Sequence, residues 1–364
     1  MGKRAGVSPA GSSNPWTAKV LGSRPASDFN NPRRRGDRIN RREFITLLGG
    51  AAVAWPLAAR AQQQPAPVIG FLNSSSADGY APHVRAFRQG LKQAGYVEGE
   101  NVAVEYRWAN GQYNRLPELV NDLVKRQVAV IAATGTPANV AAKSATATIP
   151  VVFTAGSDPV QLGLVTSLSR PGGNVTGVTQ LTGEVAPKRV EVAHELVPSA
   201  KLIGLLVNPQ NPSAATLTNA SQQAATMLGL ELDVVHASTE AEVDAAFRTL
   251  AAKQVGAVVV VTDAFFNGTV QLLATLSMRH ALPTVYQYHQ FIEAGGLISY
   301  GGSITESYRL AGVYVGRILK GERPADLPVQ QSTTVELIIN LKTARALGLT
   351  VPLTLLGRAD EIIE

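Results

Sequence analysis

Short apolar runs alternate with longer amphipathic segments along the chain from residue 68 onward. Runs rich in β-branched residues, such as 68–72 and 128–134, predict strands. The segments that follow them, such as 80–95, space their apolar residues as a helix does. Strands that alternate with helices in this way form parallel sheets with helices on both faces. The pattern therefore predicts an α/β protein.

The alternation runs through one full group of strands and then starts again, which predicts two doubly wound lobes joined by a hinge. We expect lobe 1 over residues 66–180, with a return segment at about 296–325. Lobe 2 then takes 181–292, with a C-terminal segment at about 328–364. A tail that returns after two complete groups implies that the chain crosses between the lobes more than once.

Glycine and proline mark the expected connections. The Gly/Pro-rich stretch 170–177 and the Gly-rich stretch 295–302 are the expected linkers between the lobes. Near the C-terminus, residues 338–347 have the spacing of a helix that ends before Gly348.

Small hydroxyl and amide side chains cluster directly after the predicted strands of both lobes. In parallel sheets, ligands bind at the carboxyl ends of the strands, in the loops that lead into helices. Helix starts in these loops also offer free N–H groups that suit a carboxylate. The candidate ligand-binding residues are Asn73, Ser74, Ser75, Thr134, Gly135, Thr136, Ser157, Asp158, Asn208, Asp263, Tyr286 and Tyr300.

Some of these side chains have an equally good structural explanation. Asp158 and Asp263 can accept hydrogen bonds from a ligand ammonium, which are charge-assisted contacts. Each also stands where a helix N-cap would, so capping alone is the alternative. Tyr286, Tyr288 and Tyr300 lie at the ends of extended segments, where a ring can stack on a flat ligand group or belong to the core. Of the three, Tyr286 is the preferred ligand contact.

A segment typical of an export signal precedes the α/β pattern. Arg41 and Arg42 stand before Phe44, an apolar run follows, and the tripeptide 59–61 has the small-x-small form of a cleavage site. The apolar run is shorter than the ~20 residues of a membrane span. We therefore expect a twin-arginine-type signal peptide over 39–61, cleavage after Ala61 and a periplasmic location.

Residues 1–38 are rich in Ser, Pro, Asn, Gly and Arg and lack apolar periodicity, as disordered segments do. They are either an extended leader or the product of a start codon placed too far upstream. Residues 1–61 hold 11 of the 33 Lys+Arg and 3 of the 27 Asp+Glu, so the remainder has 22 basic and 24 acidic side chains. Its net charge is −2, and this balance does not predict nucleic-acid binding.

The chain contains no cysteine, which excludes disulfides, thiol nucleophiles and cysteine-based metal sites. The five histidines are scattered without metal-ligand spacing. Walker, Gly-x-Ser-x-Gly and Gly-x-Gly-x-x-Gly motifs are absent. We therefore expect a binding protein that has no cofactor, no metal and no enzymatic activity.

Several stretches are, taken together, typical of one family. They are the leader REFITLLGG at 42–50, SDPV at 157–160, RPGGNVTG at 170–177, GGLISYG at 295–301 and INLKTA at 339–344. With them, the chain from 39 to 364 resembles the periplasmic substrate-binding proteins of ABC importers. More narrowly, it is similar to the members associated with tryptophan and tyrosine transport.

This resemblance implies a type I periplasmic-binding fold, in which two lobes close on a small ligand, here an amino acid with aromatic ones favoured. It implies that the loops at 73–75, 134–136 and 157–158 take the ligand's carboxylate and ammonium. Asn208, Asp263 and Tyr286 would close over the ligand from lobe 2. The closed protein, which we expect to be a monomer, would then dock on a membrane permease.

Other functions share this fold. A ligand-sensing transcription factor would carry an N-terminal DNA-binding helix-turn-helix, whereas this chain starts with a leader-like segment. A periplasmic sensor that feeds a membrane receptor is the stronger alternative, and neighbouring permease and ATPase genes would favour transport over it. An exported hydrolase, the third alternative, would convert its ligand.

Overall fold

The computed structural model describes residues 66–180, 182–332 and 334–364. The expected signal peptide at 39–61 and the segment 1–38 lie outside the described residues. Among the helices that the structure describes, none combines the length and apolar character that crossing a membrane requires.

The first sheet consists of parallel strands and defines lobe 1. Its strands are β1 (Val68–Asn73), β2 (Ala103–Trp108), β3 (Val130–Thr134), β4 (Val151–Ala155), β5 (Val175–Thr179) and β11 (Gln330–Gln331). They lie in the order β11-β5-β4-β3-β1-β2. Strands β3, β4 and β5 are fully buried, which explains why β3 and the residues before it read as a nearly continuous apolar run.

The second sheet defines lobe 2. Its strands are β6 (Leu202–Val207), β7 (Glu231–His236), β8 (Ala257–Val260), β9 (Thr284–Tyr286), β10 (Ile298–Gly302), β12 (Val335–Asn340) and β13 (Glu361–Ile363). They lie in the order β13-β12-β10-β9-β8-β6-β7. The pairs are parallel except for β10 with β12, which is antiparallel.

Helices cover both sheets. Lobe 1 has α1 (Ala77–Gln93), α2 (Leu116–Lys125), α3 (Thr136–Ala145) and α10 (Ile304–Leu319). Lobe 2 has α4 (Ala186–Leu196), α5 (Ala214–Met227), α6 (Glu240–Ala252), α7 (Ala264–Gly268), α8 (Val270–Arg279), α9 (His289–Glu293), α11 (Leu341–Ala346) and α12 (Leu353–Leu356). Short 3₁₀ turns occupy Tyr113–Arg115 and Pro324–Asp326. The predicted two-lobed α/β architecture is confirmed.

The chain passes between the two sheets after β5, after β10 and between β11 and β12. The expected linkers at 170–177 and 295–302 were placed wrongly, because β5 starts at Val175 and β10 at Ile298. One of their glycines, Gly177, serves close packing, since a Cβ there would collide with the backbone of Phe153. The return segment expected from about 296 likewise begins inside lobe 2, since β10 belongs to the second sheet.

The helix expected over 338–347 was wrong at its start. Ile338 and Ile339 lie in β12, where they pair with β10 and β13. The helix α11 begins only after Asn340, whose Oδ1 accepts a hydrogen bond from the Thr343 amide at 3.1 Å. Apolar residues at the end of a buried strand and the start of a helix form one continuous run, and periodicity alone does not separate them.

The strand orders place a crevice at the carboxyl edge of each sheet. In lobe 1 the order reverses between β1 and β3, and in lobe 2 between β6 and β8. Ligands of doubly wound sheets bind at such switch points. Register aligns Asn73 with Thr134 and Thr134 with Thr154 at the edge of lobe 1.

Candidate functional site

A small cavity of about 30 Å³ lies between the lobes, at the carboxyl edges of both sheets. Lobe 1 contributes Tyr80, Gly135, Thr136, Thr154, Gly156, Ile304 and Tyr308. Lobe 2 contributes Asn211, Thr262, Asp263, Ala264, Asn267 and Tyr288, and Gln180 lies at the first crossing. The only ionisable groups in this lining are one carboxylate and three phenols, so the cavity has a single acidic charge and no basic one.

The carboxylate of Asp263 is the centre of a buried hydrogen-bond network. Its Oδ1 accepts from Asn208 Nδ2 and from the Phe265 amide, both at 2.9 Å. Its Oδ2 accepts from Asn211 Nδ2 at 2.8 Å. The Tyr113 hydroxyl reaches both oxygens at 2.9 Å. Because Tyr113 belongs to lobe 1, this contact holds the two lobes together.

Burial raises the pKa of Asp263, while the hydrogen bonds from Asn208, Tyr113 and Asn211 act in the opposite direction. Burial and the negative charge of Asp263 together raise the pKa of Tyr113. In the described residues, no Lys, Arg or His lies within ion-pair distance of Asp263. The site therefore holds a desolvated carboxylate that has hydrogen-bond donors but no countercharge.

Three tyrosine rings form the apolar part of the wall. Tyr80 and Tyr308 come from α1 and α10 of lobe 1, and their ring centroids are 6.0 Å apart. Tyr288 faces them from lobe 2, and its hydroxyl donates to Gln180 Oε1 at 2.9 Å. All three are almost fully buried, and burial raises the pKa of Tyr288 to about 12. These phenols are neutral, so they offer flat faces and hydrogen-bonding hydroxyls.

Most of the candidate residues from the first loops of lobe 1 support the loops instead of lining the cavity. Asn73 Nδ2 donates to Thr134 Oγ1 at 2.7 Å, and its Oδ1 accepts from the Ser75 amide at 2.7 Å. Ser74 Oγ accepts from the Ala138 amide at 3.0 Å. Asn73, Ser74, Ser75 and Thr134 are therefore not among the lining residues, because bonds within the lobe or contact with lobe 2 bury them.

Gly135 and Thr136 do line the cavity, at the start of α3. The φ angle of Gly135 is 89°, in the region that favours glycine. A Cβ there would approach Ser74 Oγ to 2.9 Å and Ala264 Cβ to 3.1 Å. The glycine thus lets β3 turn into α3 while lobe 2 comes close.

Ser157 and Asp158 line a different cavity, of about 220 Å³, together with Glu184, Leu217 and their neighbours. Asp158 Oδ1 accepts from the Val160 amide at 2.8 Å, so it caps its own turn. The hydrogen bond from the Gly183 amide to the Gly156 carbonyl, at 2.5 Å, links the segments between the two cavities. Ser157 and Asp158 were expected to contact the same ligand as Asp263, but the structure places them in a different cavity.

Tyr286 and Tyr300 also lie outside the inter-lobe cavity. Tyr286 is fully buried in lobe 2, where it stacks on Phe291 at 4.7 Å and donates to the Leu273 carbonyl at 3.3 Å. Tyr300 is half-buried against the core of lobe 2. Tyr288 lies past the end of β9, at the N-cap position of α9, and faces the cavity in place of Tyr286.

Asn208 keeps an indirect part in the site, because it orients Asp263 and does not line the cavity. The residues that the sequence reading missed are Tyr80, Thr154, Gly156, Gln180, Asn211, Thr262, Asn267, Ile304 and Tyr308. Asn211 stands in the same strand-end loop as Asn208, and that position could have identified it. Tyr80 and Tyr308 belong to helices, where an aromatic residue reads as core. Among the described residues, no cluster of His, Asp or Glu could hold a metal ion.

Comparison with known proteins identifies the class. Residues 68–363 match the family model described as ABC transporter substrate binding protein. A tyrosine-binding protein of Clostridioides difficile is 28% identical over 265 residues, which cover 73% of this chain and 76% of that protein.

Two solved structures resemble this one closely. The crystal structure of a conserved domain protein from Vibrio cholerae superposes with a TM-score of 0.75 and 28% identity, covering 82% of this chain and 99% of that one. The ABC domain of Streptococcus pneumoniae in complex with L-Trp gives a TM-score of 0.72 and 26% identity, covering 81% and 100%.

The chain therefore belongs to the ABC transporter substrate-binding protein family, and its fold is the type I periplasmic-binding fold. Proteins of this family bind a small ligand and interact with an ABC permease, and they typically work outside the cytoplasm. They are in general not enzymes. The predicted family and fold are confirmed.

Proposed function

We propose that this protein is an exported solute-binding protein that captures an aromatic amino acid between its lobes and delivers it to the permease of an ABC importer. One observation carries the proposal. The cavity between the lobes combines a buried carboxylate with three tyrosine rings, and its lining has no basic side chain.

Asp263 is the proposed acceptor for the ligand's ammonium. A buried carboxylate with no countercharge is costly, and a cationic group at the same place offsets that cost. The Tyr113 hydroxyl reaches both oxygens, but Oδ1 also accepts from Asn208 and Phe265 whereas Oδ2 also accepts only from Asn211, so we expect the ammonium at Oδ2. An ammonium there would lower the pKa of Asp263 towards its ordinary value.

The rings of Tyr80, Tyr288 and Tyr308 are the proposed seat of the ligand's side chain. Aromatic pairs are favourable in stacked and edge-to-face geometries at centroid distances that these rings permit. The relatives named for tyrosine binding and for an L-Trp complex support this choice of ligand.

The proposed mechanism involves no covalent step. The ligand contacts both lobes, so it binds the closed form more tightly than the open form and shifts the equilibrium towards closure. The closed protein, as a monomer, is then the species that the permease recognises. The leader at 39–61, with its twin arginines, supports export to the periplasm by a twin-arginine-type pathway.

A thermal-shift screen of the chain from Gln62 tests the ligand class. We expect L-tryptophan, L-tyrosine or L-phenylalanine to raise the Tm by several degrees, since a ligand at 100 times its Kd stabilises the folded state by about 2.7 kcal/mol. Small acidic and aliphatic amino acids should give smaller shifts. A panel in which no aromatic amino acid raises the Tm would contradict the proposal.

Asp263→Asn tests the anchor. The substitution keeps the size of the side chain and one acceptor oxygen but removes the negative charge, so we expect the ligand-induced rise in Tm to disappear. Asp233→Asn is the matched control, because Asp233 lies on β7 of the same lobe and pairs with Lys253 at 2.8 Å, away from the cavity. An Asp263→Asn protein that retains the full shift would remove Asp263 from the site.

A further inference from the structure

Arg189 on α4 is a buried cation without an anionic partner. Its side chain is fully buried, and its hydrogen-bond acceptors are uncharged oxygens. Nη1 donates to the Thr182 carbonyl at 3.1 Å and to the Tyr300 carbonyl at 3.2 Å. Nη2 donates to Thr262 Oγ1 at 3.2 Å, and Nε has no acceptor among the described residues.

This arrangement is unusual because a buried charge normally has a partner of opposite charge. By contrast, an arginine of the described chain that does form an ion pair, such as Arg323 with Asp326, lies at the surface. Burial lowers the pKa of Arg189 to about 10, so the guanidinium is still protonated at neutral pH. The positive charge is therefore present and lacks a counterion in the described protein.

Thr262 connects this charge to the cavity. The Thr262 hydroxyl oxygen accepts a hydrogen bond from Arg189 Nη2, so its own O–H points elsewhere, and no described residue accepts that hydrogen bond. Thr262 lines the cavity. Gln180 lines it as well, and because its Oε1 accepts from Tyr288, its amide group is left as a donor. This side of the cavity thus presents hydrogen-bond donors in front of a buried positive charge.

The neighbouring residue supplies the opposite polarity. Asp263 follows Thr262 directly and has an extended backbone, with φ −154° and ψ 146°. Both residues line the same cavity. The carboxylate and the ammonium of an α-amino acid are bonded to the same carbon, so two anchors of opposite polarity on adjacent residues suit this class of ligand.

We propose that Arg189 is a positioning residue: it orients the Thr262 hydroxyl, which donates a hydrogen bond to the ligand's carboxylate. Arg189 thereby makes the site selective for zwitterionic α-amino acids over amines that lack a carboxylate. This inference rests on the proposed function. It assigns the carboxylate end to the Arg189 side of the cavity and leaves the ammonium on Asp263.

The test compares L-tryptophan with tryptamine, and L-tyrosine with tyramine, by isothermal titration calorimetry on the chain from Gln62. We expect the wild-type protein to bind each amino acid at least tenfold more tightly than its amine. In Arg189→Gln this preference should fall by about tenfold or more, as expected for the loss of a charge-assisted hydrogen bond. If Arg189 had only a structural role, the substitution would weaken the binding of both ligands equally and leave the ratio of their affinities unchanged.

Thr262→Val removes the hydroxyl without altering the buried charge, so it can replace Arg189→Gln if that variant does not fold. It should reduce the preference for the amino acid over its amine as Arg189→Gln does. Thr284→Val is the matched control, because Thr284 is a fully buried threonine of the same lobe whose hydroxyl donates to the Leu282 carbonyl at 2.9 Å. The Thr284→Val variant should prefer each amino acid over its amine as strongly as the wild type does.

The outcomes separate this inference from the proposed function. Binding of neither amino acid by the wild type overturns the proposed function, and the inference with it. Tight binding of both an amino acid and its amine by the wild type leaves the proposed function standing and overturns the inference. A preference that survives in Thr262→Val also overturns it.

Discussion

At the scale of single residues, the site is built on buried charges that the protein leaves without counterions. Asp263 has hydrogen-bond donors but no cation, and Arg189 has acceptors but no anion. Burying a charge in this way costs stability that a hydrophobic core would not. In the proposed binding mode a ligand supplies the missing charges and offsets that cost, so the residues that weaken the empty protein would give the site its selectivity.

Tyr113 is the residue through which lobe 1 reaches this network. Tyr113→Phe removes the hydroxyl that donates to Asp263 and accepts from the Phe265 amide at 3.0 Å, while it keeps the ring. A hydrogen bond to a charged group contributes about 1.5–3 kcal/mol. We therefore expect the affinity for the aromatic amino acid to fall by roughly tenfold or more in calorimetric titrations.

Tyr106→Phe provides the comparison for this prediction. Tyr106 is partly buried on β2, and its hydroxyl bonds Glu98 and Arg88 within lobe 1. Its loss should leave the affinity unchanged. If Tyr113→Phe binds as tightly as Tyr106→Phe, the contact between Tyr113 and Asp263 does not contribute to closure.

At the scale of elements, the short helix α7 is the part of lobe 2 that approaches lobe 1 most closely. Asp263 caps its first turn, and its last residue, Gly268, packs against the segment that leads into α1. A Cβ on Gly268 would collide with Ser75 Oγ, whereas the next nearest atom, Ser75 Cβ, would be 3.5 Å away. A side chain at Gly268 would therefore require the Ser75 hydroxyl to move before the lobes could pack as they do.

Gly268→Ala should keep the lobes apart without affecting the core of either one. We expect the affinity for the amino acid to fall by at least tenfold, while the Tm of the ligand-free protein changes little. The double variant Ser75→Ala/Gly268→Ala removes the atom that causes the collision and should recover most of the affinity. Failure of the second substitution to restore binding would refute the steric explanation.

At the scale of the whole molecule, closure joins the lobes at a further buried contact. His83 of α1 is 3% exposed, and its Nε2 lies 2.7 Å from Gln290 Oε1 of α9 in lobe 2. Gln290 Nε2 donates to the Asn267 carbonyl at 3.1 Å, so Oε1 faces His83 and the imidazole Nε2 is the donor. Nδ1 lies 3.2 Å from Thr305 Oγ1 within lobe 1.

This contact makes closure depend on pH. Burial is the main cause that lowers the pKa of His83, and the charge of Arg85 lowers it further, while the bond to Gln290 acts in the opposite direction. The open form thus takes up a proton more readily than the closed form. The closed form is most stable above about pH 6.5, the ordinary pKa of histidine, and loses stability as the pH falls below it.

We accordingly expect the ligand affinity to decrease as the pH is lowered from 7 to 5, and the decrease to be smaller in His83→Gln. Any dependence left in that variant would include a contribution from Asp263, whose pKa burial raises. His236→Gln is the control, since His236 is exposed on β7. Identical profiles for wild type and His83→Gln would exclude His83 as the sensor.

The architecture could be predicted from local pattern because strands and helices differ in the period of their apolar residues, and that period is a property of neighbouring positions. Two groups of alternating elements were enough to predict two lobes. The carboxyl ends of the strands then located the region of the site, and Gly135, Thr136 and Asp263 do line the cavity. The positions of the interlobe connections were missed, since a glycine that permits close packing reads the same as one that permits bending.

Which side chains face the ligand was decided only by the tertiary structure. Asn73 and Thr134 are strand-end residues of the expected kind, yet they bond each other across 61 positions and leave the cavity wall to others. Tyr308 and Arg189 sit on helices whose sequences give no sign of a ligand. Their roles come from contacts between distant segments, and an amino-acid sequence determines local conformation far more directly than it determines which distant groups share a hydrogen bond or a buried charge.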